Sequence, residues 1–142
     1  MVLTQLTAEL VARGQSVLDG QFAAATAHCC SPLVVFLEQR RIVFPQPLIL
    51  QQGLALLRQE LRKRHIIRLQ PDISATELPR AGRFRVWVRW QEISADGAGD
   101  RSSDVIYYCH QDAGTIRTEM LHYTRLSMPE MRNSFAALAK SA

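Results

Sequence analysis

The chain has 142 residues, of which 47% are hydrophobic and 21% charged, and its formal net charge is +4. This length allows one domain with a sizeable core, and the composition excludes an intrinsically disordered chain. The small positive charge is compatible with an anionic partner but does not require one. We therefore expect residues 1–142 to form a single domain.

Neither a membrane segment nor a metal site is expected. No apolar run approaches the roughly 20 residues that a membrane helix needs. The N-terminal residues MVLTQLTAEL lack a basic region followed by an apolar region, so no signal peptide is expected and the predicted compartment is the cytoplasm. His28, Cys29 and Cys30 are adjacent, but no second ligand group follows at zinc spacing. We predict free thiols and no cofactor.

The first half of the chain predicts three helices and a short hairpin. Apolar residues recur at helical spacing within residues 3–19. The alanine-rich residues 21–30 predict a second helix, which Ser31-Pro32 would end. Two apolar stretches predict a hairpin in residues 33–44, and residues 47–64 predict a third, amphipathic helix with proline in its first turn.

The second half of the chain is mainly extended. Residues 65–78 predict a strand, in which Pro71 indicates a sheet edge or a bulge. Alternation of apolar and polar residues predicts further strands in 83–93, 104–111 and 115–126.

A terminal helix follows the strands, and it completes an α+β pattern. Ser127 and Glu130 have the spacing of a capping box, which predicts a helix start at this point. A run of helices followed by a run of antiparallel strands favours the α+β class.

This order of elements resembles the nuclear-transport-factor-2-like superfamily, and especially its SnoaL-like members. The segment SVLDGQFAAATAHCCSPLVVF is similar to that family's helix, turn, second helix and first strand, and RRIVFPQPLILQQGLALLRQEL to its second strand and third helix. The resemblance implies a strongly curved, mainly antiparallel sheet wrapped round three N-terminal helices as a cone, with a pocket at the wide end. It also implies homodimers that pair through the outer face of the sheet.

The assignment of side chains to the inside of the cone depends on the last hairpin. If Asp112 to Gly114 form a three-residue loop, Tyr108 lies opposite Thr118 and shares a face with it. Joining that face to the apolar side of strand 83–93 gives a concave, largely apolar surface. A slip of one residue would exchange the two faces. The predicted ligand-binding residues are Val86, Val88, Trp90, Ile106, His110 and Met120.

The opposite face mixes aromatic residues with charges of both signs, as subunit contacts do. We predict that it pairs two copies of the chain, with a plain solvated surface as the alternative. Nucleic acid is not an expected partner, because Glu119 interrupts the positive field and no RNA-binding motif accompanies the aromatic residues. The predicted interface residues are Arg85, Trp87, Arg89, Tyr107, Glu119 and Tyr123.

Three polar residues on the predicted concave face suggest possible chemistry. Tyr108 could stabilise a developing enolate, and His122 could move a proton with Asp104 to orient it. The SnoaL-like resemblance implies cofactor-free isomerases, cyclases and hydratases among the relatives. However, no acidic residue of this chain aligns with the deep carboxylate of the steroid-isomerase type, and histidines and tyrosines in strands more often serve the structure.

Three functions therefore stay open. The first is a homodimer that binds a small, largely apolar molecule in the cone. The second is a cofactor-independent isomerase, cyclase or hydratase. The third is a dimeric scaffold whose cone is filled by its own side chains, which a pocket smaller than about 300 Å³ would favour.

Overall fold

The computed structural model describes residues 2–97 and 100–140 of the chain. The predicted α+β class is confirmed, and no helix among these residues is both long and apolar enough to cross a bilayer. A short 3₁₀ turn, Pro129–Met131, precedes the last helix. The elements in chain order are α1 (Val2–Leu18), α2 (Phe22–Ala25), β1 (Cys29–Leu37), β2 (Arg40–Phe44), α3 (Pro47–Lys63), β3 (Ile66–Thr76), β4 (Arg83–Ser94), β5 (Arg101–Asp112), β6 (Thr115–Arg125) and α4 (Arg132–Lys140).

The strands form one six-stranded sheet in the order β2-β1-β6-β5-β4-β3. All neighbours are antiparallel except β1 and β6, which run parallel, so the expected mainly antiparallel sheet is confirmed. The sheet is open, with β2 and β3 at its edges. Pro71 lies in the edge strand β3, where the missing N–H of proline costs least.

Helix α1 covers the inner face of the sheet with one side. Leu6, Leu10 and Val17 recur at helical spacing, and all three are buried. Leu6 and Leu10 pack in one cluster with inward side chains of β4 and β5, among them Val86 and Tyr107. Val17 belongs to a second cluster, which contains α3 side chains.

Helices α3 and α4 complete the core. The predicted third helix is confirmed, and Leu61 near its end is fully buried. In α4, Ala136 is also fully buried, in a cluster with Leu33 of β1 and Phe44 of β2. The helices thus lie on one face of the sheet, and no layer of the described residues covers the other face.

The predicted second helix is wrong in length. Only Phe22–Ala25 is helical, while Cys29 and Cys30 already belong to β1, and Ser31-Pro32, joined by a cis peptide bond, lies inside that strand. The alanine-rich composition favours a helix, but Cys29 pairs with Thr118 of β6. Tertiary pairing therefore overrides the local helix propensity.

The predicted register of the β5–β6 hairpin is also wrong. Asp112 pairs with Thr115, so the loop has two residues, Ala113 and Gly114, with φ values of 50° and 83°. Two successive left-handed residues form the type I′ turn that matches strand twist. Further along β6, a bulge at Glu119 turns the following side chains over, because the register shifts there by one residue.

The join between β4 and β5 differs from the prediction as well. Val86 lies opposite Tyr107 and Trp87 opposite Ile106, so the odd-numbered residues of β5 face the helices. The physical reason is the cost of burial. The odd-numbered set is the less polar one, whereas the even-numbered set would bring Asp104 and His110 inside.

Gly82, which precedes β4, is predicted to be essential for the pairing of β4 with β5. Gly82 has a φ of 81°, and a Cβ there would lie 2.7 Å from the carbonyl oxygen of Gln111. We expect Gly82→Ala to lower the free energy of unfolding by about 3 kcal/mol through clash and backbone strain together. Gly114→Ala is the matched control: its φ of 83° is nearly the same, but nothing lies near its Cβ position. It should cost about 1 kcal/mol in the same urea titration. Equal losses would show that the contact with Gln111 is unimportant.

Candidate functional site

A cavity of about 180 Å³ lies between the inner face of the sheet and the helices. Aliphatic and aromatic side chains make most of its wall, including Val17 of α1, Leu33 of β1, Leu57 of α3 and Phe135 of α4. A few polar side chains interrupt this apolar lining. A concave, mainly apolar space with few polar groups is the usual form of a small-molecule site.

The first polar group is a hydrogen-bonded pair of aromatic residues. Trp90 of β4 and Tyr107 of β5 both line the cavity, and the Trp90 Nε1–H donates to the Tyr107 hydroxyl oxygen at 2.7 Å. Burial raises the pKa of Tyr107 to about 12, so the hydroxyl keeps its proton at neutral pH. Among the described residues no acceptor takes that proton, which leaves it available for a ligand.

The second polar group is a buried ion pair. The Glu92 side chain of β4 is only 6% exposed, and its Oε1 lies 2.6 Å from Nη2 of Arg64, which follows α3. These two atoms do not form a well-aligned hydrogen bond, so the contact is mainly Coulombic. The Ser127 hydroxyl donates to Glu92 Oε2 at 2.5 Å. Ser127 therefore belongs to this cluster and does not cap a helix. The predicted capping box is wrong, since the 3₁₀ turn begins without a side-chain cap.

The third polar group is Arg13, on the cavity side of α1. Its guanidinium carbon lies 5.9 Å from the centre of the Tyr107 ring, and Nη1 donates to Thr118 Oγ1 over a long 3.5 Å. Both contacts hold the positive charge at the cavity wall, where Arg13 is one of the lining residues.

Only part of the predicted pocket is placed as expected. Trp90 faces inward and lines the cavity, and Val86 and Val88 face inward but are packed in the core cluster. The predicted pocket placement of the remaining residues is wrong, because the β4–β5 pairing and the bulge in β6 turn them to the outer face. These residues are Asp104, Ile106, Tyr108, His110, Met120 and His122.

The predicted catalytic group is therefore not assembled inside the cone. On the outer face Asp104 pairs with Arg89 at 2.8 Å and with Arg125 at 3.3 Å. The hydrogen bond from Arg89 is the main cause of the lowered pKa of Asp104. The His122 ring contacts Phe36 of β1, with ring centroids 5.5 Å apart.

The predicted interface residues also divide between the two faces. Arg85, Trp87, Arg89 and Glu119 lie on the outer face or its bulge as expected. The placement of Tyr107 and Tyr123 there is wrong, since both line the cavity.

Several charges on the outer face are paired within the chain. Arg85 contacts Glu77 at 2.8 Å and stacks over the Trp87 ring at 5.0 Å, and Arg83 reaches Glu119 at 3.2 Å. The outer face therefore presents aromatic residues beside neutralised charges.

Glu92 and Arg13 are cavity residues that the sequence reasoning missed. Glu92 follows Trp90 by two positions, so continuing the inward side of β4 by one step would have found it. Arg13 gives no such signal, because a polar residue in an amphipathic helix is expected to face solvent.

A buried thiol near the cavity predicts sensitivity to alkali. Burial raises the pKa of Cys109 to about 12, so the folded state keeps a proton that the unfolded chain loses above about pH 9. The free energy of unfolding should fall by about 1.4 kcal/mol per pH unit in that interval from this thiol alone. Urea titrations from pH 7 to pH 10.5 should show a shallower decline for Cys109→Ala than for the wild type. Parallel curves would exclude the thiol as a cause.

The comparisons with known proteins bear on the fold. No family model matches the chain. No curated protein matches it either. Solved structures do match. An NTF-2 like protein of unknown function from Shewanella oneidensis MR-1 is 12% identical, with a TM-score of 0.65 over 87% of this chain and 98% of that chain.

Two further solved structures have a similar fold. Aln2 from a Streptomyces species is 12% identical, with a TM-score of 0.66 over 87% of this chain and 90% of that chain. A ketosteroid isomerase-like protein from Erwinia carotovora atroseptica is 14% identical, with a TM-score of 0.56 over 84% of this chain and 92% of that chain. The chain thus has the nuclear-transport-factor-2-like fold, and identities this low carry no statement about activity.

Proposed function

We propose that the protein is a SnoaL-like binding domain that takes a small, largely apolar molecule into its cavity. The observation that carries this proposal is the mainly apolar cavity beside a free hydrogen-bond donor, the Tyr107 hydroxyl. Apolar lining supplies affinity, and a few converging polar groups supply orientation.

The volume limits the ligand to about one ring. A cavity of about 180 Å³ is smaller than the roughly 300 Å³ of a drug-sized pocket, which argues against a polycyclic ligand and favours the scaffold alternative. However, an apolar cavity of about 150 Å³ is known to bind benzene in another protein. The small volume therefore limits the size of the ligand but does not exclude ligand binding.

A series of neutral hydrocarbons of increasing size tests this proposal. We expect toluene to bind by calorimetry, naphthalene to bind weakly and a steroid not to bind. Leu57→Trp should abolish the toluene signal, because the larger side chain occupies the space in which Leu57 lines the wall. Absence of toluene binding to the wild type would leave the scaffold as the better account.

We also propose that two copies pair through the outer face of the sheet. Support comes from its composition, since aromatic residues and arginine are enriched at subunit contacts. Trp87 lies on this face, and its neighbours Arg85 and Arg89 already have intrachain acid partners, so pairing around Trp87 would not bury these two charges without partners. Half-buried residues on the same face are Phe36, Ile106, Tyr108, Met120 and His122.

Binding is favoured over catalysis for a specific reason. The acidic side chain in the cavity wall, Glu92, is already engaged by Arg64 and by the Ser127 hydroxyl. Tyr107 offers a donor but has no second catalytic group arranged with it among the described residues. A cofactor-independent isomerase needs both an acceptor and a donor at the reacting atoms.

A further inference from the structure

Arg13 carries a charge that the protein itself does not neutralise at close range. No carboxylate oxygen of the described residues lies within ion-pair distance of its guanidinium, whereas eight ion pairs are formed elsewhere among these residues. Its contacts are the long bond to Thr118 and the face of the Tyr107 ring. A partly buried cation usually has an anionic partner, because desolvation without one is costly.

The nearest acidic residue along α1 does not fill this role. Glu9 is one turn before Arg13, the spacing at which a glutamate and an arginine can pair on a helix. Its Oε1 instead accepts a hydrogen bond from Gln5 Nε2 at 3.3 Å, and its Oε2 is buried without a hydrogen-bond partner. The pairing that local sequence favours is thus not made.

We propose that the cavity ligand bears a carboxylate that pairs with Arg13, so that the ligand class is a small hydrophobic acid of about one ring. This inference rests on the proposed binding function. The planar guanidinium can donate two parallel hydrogen bonds to a carboxylate. The Tyr107 hydroxyl, whose ring lies under the guanidinium, adds a third donor.

Arg64, the cation that contacts the wall residue Glu92, does not compete for the carboxylate. Arg64 is already paired with Glu92, so this end of the cavity has no net charge. The only uncompensated charge among the described residues lining the cavity is positive and belongs to Arg13. The apolar remainder of the wall then surrounds the hydrocarbon part of the acid.

Benzoate and toluene form a matched pair of probes, because they share one ring and differ in the carboxylate. At neutral pH we expect benzoate to bind the wild type at least tenfold more tightly than toluene. Arg13→Met keeps a long apolar side chain and removes the charge. It should weaken benzoate binding by a factor of about 10 to 100 and change toluene binding less than twofold.

The two proposals fail in distinguishable ways. If toluene binds and benzoate binds no better, or if Arg13→Met weakens both equally, the carboxylate assignment is wrong while the cavity proposal survives. If neither probe binds the folded wild type, both are wrong. Arg13→Lys offers a further measure, since a retained charge without the planar fork should preserve part of the benzoate preference.

Discussion

Replacing Arg64 with methionine is expected to lower the free energy of unfolding by about 3 kcal/mol. The substitution leaves the Glu92 carboxylate, which is 6% exposed, without its cation. The Ser127 hydroxyl remains as a single donor and cannot compensate for the lost charge. Arg64 itself is 20% exposed, which places the expected loss at the lower end of the range for buried pairs.

A second substitution separates the lost charge from lost packing. Arg64→Met combined with Glu92→Gln removes both charges, and the glutamine can still accept the Ser127 hydrogen bond. We expect this double variant to regain about half of the lost free energy or more. Urea unfolding followed by circular dichroism measures both values. A double variant as unstable as Arg64→Met alone would mean that the methionine packs badly and that the ion pair matters little.

Replacing Trp87 with aspartate is expected to raise the dissociation constant of the proposed dimer by about 100-fold or more. Central tryptophans in subunit contacts contribute about 2 to 4 kcal/mol, and about 1.4 kcal/mol corresponds to a factor of ten. The aspartate would also bury a carboxylate without a cationic partner in the contact, which opposes association.

Leu78→Asp is the matched control for the outer face. Leu78 is 90% exposed in the loop between β3 and β4. Its replacement by aspartate is therefore an equally drastic change at an apolar surface residue. Its sedimentation profile should equal that of the wild type. A wild-type protein that stays monomeric at millimolar concentration would contradict the dimer proposal before any variant is made.

The alternation of β4 is readable from the sequence. Trp90 faces the helices and Trp87 faces outward, because period-two patterning leaves few choices for a strand with one buried side. The α+β class follows from the order of helical and extended patterns in the same way. These features depend on local periodicity, which a single sequence contains.

The neighbouring strands depend on information that periodicity does not hold. Ala113 adopts a left-handed φ of 50°, which cannot be predicted from an alanine. This conformation shortens the hairpin loop by one residue. The bulge at Glu119 then reverses the parity of β6, so that His122 lies outside although Thr118 lies inside. Each register shift of one residue moves every later side chain of the strand to the opposite face of the sheet.

The ion pair at the cavity wall could not be predicted from the sequence, for a different reason. Glu92 and Arg64 are far apart in sequence, and either one alone is most simply assigned to a solvated surface. Their burial depends on their mutual contact, together with Ser127, which the sequence suggests as a helix cap. Pairing across the fold therefore decides the chemistry of the site.

The proposed function depends on a one-ring binding cavity at the inner face of the sheet, with Trp90 in its wall. The chain contains two tryptophans, and their indole N–H signals can be followed separately by nitrogen-edited NMR while toluene is added. Assignment requires only the Trp87→Phe variant. We predict that the Trp90 signal shifts with saturation, because its N–H bonds to Tyr107 at the cavity wall, while the Trp87 signal stays unchanged. A shift of Trp87 alone, or of neither signal, would show that toluene does not enter this cavity.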